Sequence, residues 1–329
     1  VHRAGCPHLP HHPFIYTVVG ALSGNRTSLR MPMTDSTDSL FRFLLPQAGV
    51  RGVHVQLSPA WQEMLSHTDY PPIARSLLGE ATVAAALFTG HTKVEGRLSV
   101  QLRSESALRS LFAECTAAGN VRGIVRLDDG SDAPRDLQSL GDDAVLAITI
   151  ENPGLDPREP QRYQSLVALG APTLDAAFED YFRQSEQLPT RLLLVADGER
   201  AAGLLLQKLP GDEGDNDGWN RASALFETLG REELLKTPAE TLVHRLFHEE
   251  QAEAMGSKPL AFACSCSRDR VAAMLQSLGE PEARAAAEDT GQVEVRCEFC
   301  GREYHFPLTE LDVLFQGAEG NVPAPERLQ

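Results

Sequence analysis

Apolar positions recur two apart in six short segments, residues 52–57, 96–102, 123–127, 145–150, 163–169 and 192–196. That period sends alternate side chains to opposite faces, so each segment reads as a strand with a buried side. Between them, apolar residues three and four apart predict helices at 59–66, 73–89, 107–118 and 174–185. Residues 33–209 therefore read as one large mixed α+β core.

Beyond Leu209 the pattern changes. Residues 210–218, Pro-Gly-Asp-Glu-Gly-Asp-Asn-Asp-Gly, form a turn-rich acidic stretch that marks a boundary. Two amphipathic helices are predicted next, 220–236 and 238–251, broken at Thr237-Pro238, with 252–259 leading onward. Their apolar faces need something to cover, while the acidic stretch and the proline limit their own stability. The segment 210–259 thus reads as a metastable helical linker.

Residues 260–315 read as a small separate module. Ser267 can N-cap a helix with Val271, Met274, Leu275 and Leu278 on one face, Gly279 can end it, and Pro281 can open the next. Strands are expected beside Cys297 and through 304–306, then a terminal helix from Leu311 and a disordered tail over 316–329. At the other end, residues 1–30 hold four of the ten histidines (His2, His8, His11, His12), three arginines and no acid. That contrast marks 1–32 as a disordered extension or start-site artefact, with Met31 and Met33 as candidate starts.

The chain has 329 residues, 42% of them hydrophobic, enough for one large domain and a small companion. Its 30 Lys and Arg against 46 Asp and Glu give a formal charge of −16, which a phosphate backbone would repel; nucleic acid is not an expected partner. No apolar run reaches the roughly 18 residues of a membrane span, so no membrane partner is expected.

Cysteine usage changes the picture most. Of the six cysteines, Cys6 lies in the histidine-rich start and Cys115 in an apolar stretch beside Leu111 and Phe112, where it reads as core. The other four form a C-x-C pair, Cys264 and Cys266, and a C-x-x-C pair, Cys297 and Cys300, with 30 residues between the pairs. Four thiolates suit tetrahedral Zn2+, one ion per chain in the reduced state, in a closed site. One reading stops at a structural zinc ribbon in an interaction or regulatory protein. A second starts from spacing: residues two or three apart can bridge, so an oxidant that removed zinc would let each pair close a local, readily reduced disulfide. Arg268, Arg270, Arg296 and Arg302 stand within a few positions and can stabilise thiolate. A structural zinc contributes on the order of 10 kcal/mol to folding such a module, so its loss would make oxidation a folding switch.

No enzyme signature competes. His244 and His248 stand four apart on a predicted helix, but Arg245 occupies the place of a zincin's glutamate. Neither G-x-S-x-G nor G-x-G-x-x-G occurs. Glu249-Glu250 reads as solvated surface, and Trp61, Trp219, Phe226 and Phe247 as core or as part of an apolar binding surface, with core favoured.

Four sets of segments carry a family resemblance: Phe262-Ala-Cys-Ser-Cys-Ser-Arg; Cys297-Glu-Phe-Cys-Gly with Tyr304-His-Phe; Tyr181-Phe-Arg-Gln-Ser-Glu-Gln-Leu-Pro-Thr; and Glu232-Glu-Leu-Leu with His248-Glu-Glu. Through them residues 38–315 resemble the heat shock protein 33 family, redox-regulated holdase chaperones of the bacterial cytosol. The resemblance implies a reduced, inactive protein holding zinc through Cys264, Cys266, Cys297 and Cys300. It implies that oxidation pairs Cys264 with Cys266 and Cys297 with Cys300, releases zinc, unfolds the module and destabilises the linker. Unfolding client proteins are the implied partners, with a homodimer in the oxidised state, a cytoplasmic location, a role in oxidative stress, and no enzymatic activity. Ser104-Glu-Ser and Ser165 depart from positions where the family commonly has glycine.

Overall fold

The computed structural model describes residues 38–154, 159–211, 214–288 and 290–316; the expectations for 1–32 and 317–329 lie outside these. Strands β1 (Ser39–Leu45) and β2 (Val50–Leu57) precede helices α1 (Pro59–Leu65) and α2 (Pro72–His91). Strands β3 (Arg97–Arg103), β4 (Leu108–Thr116), β5 (Asn120–Leu127), β6 (Val145–Asn152) and β7 (Gln161–Val167) lead to α3 (Leu174–Tyr181), β8 (Thr190–Ala196) and β9 (Ala201–Lys208). Helices α4 (Gly218–Glu227), α5 (Arg231–Lys236) and α6 (Ala239–Phe247) come before β10 (Glu253–Pro259) and β11 (Ala261–Phe262). Helices α7 (Arg268–Leu278) and α8 (Glu280–Ala285), the hairpin β12 (Gln292–Arg296) and β13 (Glu303–Pro307), and α9 (Leu308–Gln316) follow. The α+β class expected from the sequence is the class observed.

Helix α2 organises the core. Every residue from Leu77 to Phe88 is buried, and a helix buried on all sides needs cover on all sides. Two sheets supply it: one of order β10-β1-β2-β9-β8, the other β11-β5-β4-β3-β6-β7. The first sheet is antiparallel throughout, and its strands alternate. Leu40, Val53, Val55 and Leu205 face α2, while Phe41, Phe43, Leu45, Leu204 and Leu206 face the opposite way into a second core. That second core is completed by Phe226, Leu234, Leu235, Leu242, Leu246 and Phe247 from α4, α5 and α6. Gly52 makes room for it, since a Cβ there would stand 2.1 Å from the Phe43 ring.

Several expectations are corrected. The helix predicted over 107–118 is instead strand β4 (Leu108–Thr116), and Cys115 lies on that strand. Leu108, Leu111, Phe112 and Cys115 match a helical spacing, but pairing on both sides with β3 and β5 overrides it, and Leu111, Ala113 and Cys115 point together at α2. The predicted helix 220–236 is two helices, α4 and α5, separated at Gly230, and 252–259 is not a connector: β10 pairs antiparallel with β1. Glu250 is buried, not solvated, and receives Arg221 at 2.7 Å. Of the four apolar residues predicted to share a face of α7, Val271 and Leu275 turn inward; Met274 and Leu278 are exposed. Strands β1 and β9 were not anticipated. In β9 the run Leu204-Leu205-Leu206 is buried on both faces and shows no alternation.

Candidate metal centre

The two cysteine pairs are presented by different local structures. Strand β11 lies parallel to β5, fixed by Ala261 N–H donating to Gly119 O at 3.0 Å and Ala263 N–H to Val121 O at 3.2 Å. The chain then passes Cys264 and Cys266 and enters α7, whose first turn is capped by the Ser267 hydroxyl accepting from Arg270 N–H at 3.2 Å, as the sequence predicted. The other pair sits in the turn of the β12–β13 hairpin. Cys297 N–H donates to Arg302 O and Gly301 N–H to Cys297 O, both at 2.8 Å, with Gly301 at φ +65°, a left-handed conformation suited to glycine. A small core of Val271, Leu275, Ala283, Ala287, Val293, Tyr304, Phe306 and Leu311 backs both segments.

All four Sγ atoms lie within 4.8 Å of one another. Cys264 Sγ is 3.6 Å from Cys297 Sγ, and Cys266 Sγ is 3.3 Å from Cys300 Sγ. Four sulfurs at about 2.3 Å from zinc stand about 3.8 Å apart in a tetrahedron, so the donor set and its spacing fit that ion. Both close contacts join one cysteine of each pair. The reduced arrangement therefore ties the segment after β11 to the hairpin and does not by itself select the local disulfides over cross-paired ones.

Charge is unevenly placed on the sulfurs. Burial acts to raise Cys266, but hydrogen bonds from Tyr304 Oη, at 3.1 Å, and from neighbouring thiols outweigh it and hold the thiol down to about 7. Burial pushes Cys300 up to about 12, and raises Cys264 as well. Arg302 is raised chiefly by its bond to Tyr304, with the sulfurs of Cys266 and Cys300 adding to the rise. Arg270 donates to Ser265 O at 2.9 Å, holding the residue between the first two cysteines. Arg268 serves elsewhere, pairing with Glu310 at 2.6 Å over the Phe306 ring. Cys115 is buried with its thiol raised by burial to about 11, so it stays protonated and unreactive at neutral pH. His244 on α6 and His248, just past its C-terminal end, are exposed neighbours with ring centroids 6.0 Å apart.

The residues that seat this centre on the core were not legible in the cysteine pattern. Arg122 of β5 donates to the Ser265 hydroxyl at 2.8 Å and lies over the Phe299 ring, and Phe112 of β4 meets that ring edge-on at 5.7 Å. Arg126 of β5 pairs with Glu298. The alternation of β5, with Arg122 and Arg126 facing one way and Val121 and Val125 the other, is the signal that could have found them.

Comparison with known proteins agrees with this architecture. The family described as Hsp33 protein matches residues 38–307. A 33 kDa chaperonin from Ectopseudomonas mendocina is 43% identical over 295 residues, covering 87% of this chain and 98% of the relative. One from Pseudomonas paraeruginosa is 40% identical over 298 residues, covering 88% and 99%. The crystal structure of a 33 kDa chaperonin from Thermotoga maritima superposes with a TM-score of 0.68 at 19% identity, over 87% of this chain and all of that one.

Proposed function

The chain belongs to the Hsp33 family, and on that premise we propose that it is a holdase chaperone, not an enzyme, switched by the oxidation state of Cys264, Cys266, Cys297 and Cys300. The observation that carries the switch is the convergence of four Sγ atoms within 4.8 Å from two separate segments. Reduced, the four cysteines hold one Zn2+ per chain. Bound there, the ion supplies a cross-link between the segments and keeps the thiolates ionised.

On oxidation, two thiolates of each pair give two electrons to a peroxide-class oxidant, which takes up protons and leaves as water. Cys264 pairs with Cys266 and Cys297 with Cys300. Two local disulfides no longer join the segment after β11 to the hairpin, and the small core behind them is too slight to hold 260–315 folded alone. The helical part of the linker, α4 to α6, loosens in turn. Its helices cover Phe41, Phe43, Leu45, Leu204 and Leu206, and their release frees an apolar sheet face to capture unfolding client proteins. The oxidised form is a cytoplasmic homodimer serving the response to oxidative stress. No helix among the described residues is long and apolar enough to cross a membrane.

The test is to treat the reduced, zinc-loaded protein with peroxide under mild heat, titrate released zinc and map disulfides by peptide mass. Loss of one zinc per chain with the two local disulfides is expected. Full zinc retention, or retention in Cys297→Ser before oxidation, contradicts the four-ligand switch and leaves a structural zinc ribbon.

A further inference from the structure

The strand register places Phe112 and Glu114 of β4 on the same face as Arg122 and Arg126 of β5, opposite the face that packs on α2. What covers this face comes from the metal centre's own C-x-x-C turn. Phe299 is half-buried, edge-on to Phe112 at 5.7 Å and 74°, with the Arg122 guanidinium carbon 4.6 Å from its centroid. Its neighbour Glu298 pairs with Arg126. Arg122 is meanwhile held from its own sheet by Glu114, which is buried, at 3.1 Å. The ring-binding side of the seat is therefore preorganised by the core and does not depend on Phe299 for its shape.

We propose that this face is a peptide-binding seat for an acidic residue followed by an aromatic one, and that Glu298-Phe299 fills it in cis while the cysteine turn is intact. Phe112 and the Arg122 face recognise the ring, a cation–π and edge-to-face contact. Arg126 recognises the carboxylate; being exposed, that pair sets orientation and selectivity more than affinity. Both occupying residues lie between Cys297 and Cys300, so closing that pair into a disulfide redraws the turn that presents them. The vacated seat then takes acidic–aromatic segments of unfolded chains. Only this last step, when the seat empties, rests on the redox reading above.

The experiment uses the full chain, reduced and zinc-loaded, with Glu298→Ala and Phe299→Ala combined to empty the seat without oxidation. The probes are the blocked peptides Gly-Glu-Phe-Gly and Gly-Lys-Phe-Gly, titrated while the Nε–Hε resonances of Arg122 and Arg126 are followed by NMR. Oxidised wild type is the second route to an empty seat and covers a variant that folds poorly. Saturable shifts with the Glu peptide, about tenfold weaker binding of the Lys peptide, and weaker binding of both in Phe112→Ala, which keeps the two reporter arginines, are expected. No saturable shift by either route, or equal response to the two peptides, overturns the seat. A response from the emptied variant with none from oxidised wild type upholds the seat and refutes its release by oxidation.

Discussion

The guanidinium of Arg122 lies 4.6 Å above the ring of Phe299 and donates to the hydroxyl of Ser265 at 2.8 Å. One side chain of the core sheet thus touches a residue inside each cysteine pair. Cation–π contact and hydrogen bond together make this docking worth about 1–3 kcal/mol. Arg122→Ala is expected to keep one zinc per chain yet lower the hydrogen-exchange protection of the Ala261 and Ala263 amides, which pair with β5. Unchanged protection would show that Arg122 does not couple the centre to the core.

Much of this site was legible in the sequence, and its seat was not. The spacing of Cys264, Cys266, Cys297 and Cys300, the Ser267 cap and the Gly279-Glu-Pro281 junction are local signals, and the structure places all of them as expected. The contacts of Arg122 with Ser265 and Phe299 span more than 140 positions of chain and leave no local trace. The same limit explains β4. Its residues fit a helical stripe, and only the neighbouring strands β3 and β5 decide otherwise. It also explains Met274 and Leu278, periodic with Val271 and Leu275 but beyond the narrow stripe that α7 buries.

Phe247 is fully buried and stacks on Phe43 at 5.9 Å, where α6 meets the first sheet. Phe247→Ala removes that packing at a cost of about 3–5 kcal/mol. Because the lost contacts join α6 to the first sheet, the expected result under the proposed switch is partial client binding in the reduced, zinc-loaded protein. Reduced activity equal to that of wild type would argue that this face is not what the linker conceals.

Glu80 is buried on α2 and shared by Arg231 of α5 at 3.3 Å and Arg135 at 3.5 Å. Burial raises its carboxyl and the two guanidinium groups oppose that rise. Arg231→Ala leaves Arg135 in place and is expected to be mild. Adding Arg135→Ala strands a buried carboxylate and is expected to cost about 3–5 kcal/mol in a urea titration. Additive small effects would mean the carboxylate finds water instead.

His54 on β2 is fully buried in register with Phe41 and Leu204, on the face covered by α4 to α6, with no hydrogen-bond partner on either ring nitrogen among the described residues. Burial lowers it from 6.5 to about 4. The unfolded chain therefore takes up the proton first as pH falls. Stability is complete above 6.5 and declines as pH falls towards 4, by on the order of 3 kcal/mol. Denaturation midpoints of His54→Leu should lose that part of the decline, and an identical pH profile would contradict it.

The central claim is that oxidation creates the chaperone activity. Light scattering of a heat-denaturing client, with equimolar chain either reduced and zinc-loaded or oxidised by peroxide under mild heat, tests it most directly. Suppression of aggregation by the oxidised form alone, reversed by reductant with zinc, is the predicted result. Equal suppression by the reduced zinc form would contradict the switch and return the four cysteines to a purely structural role.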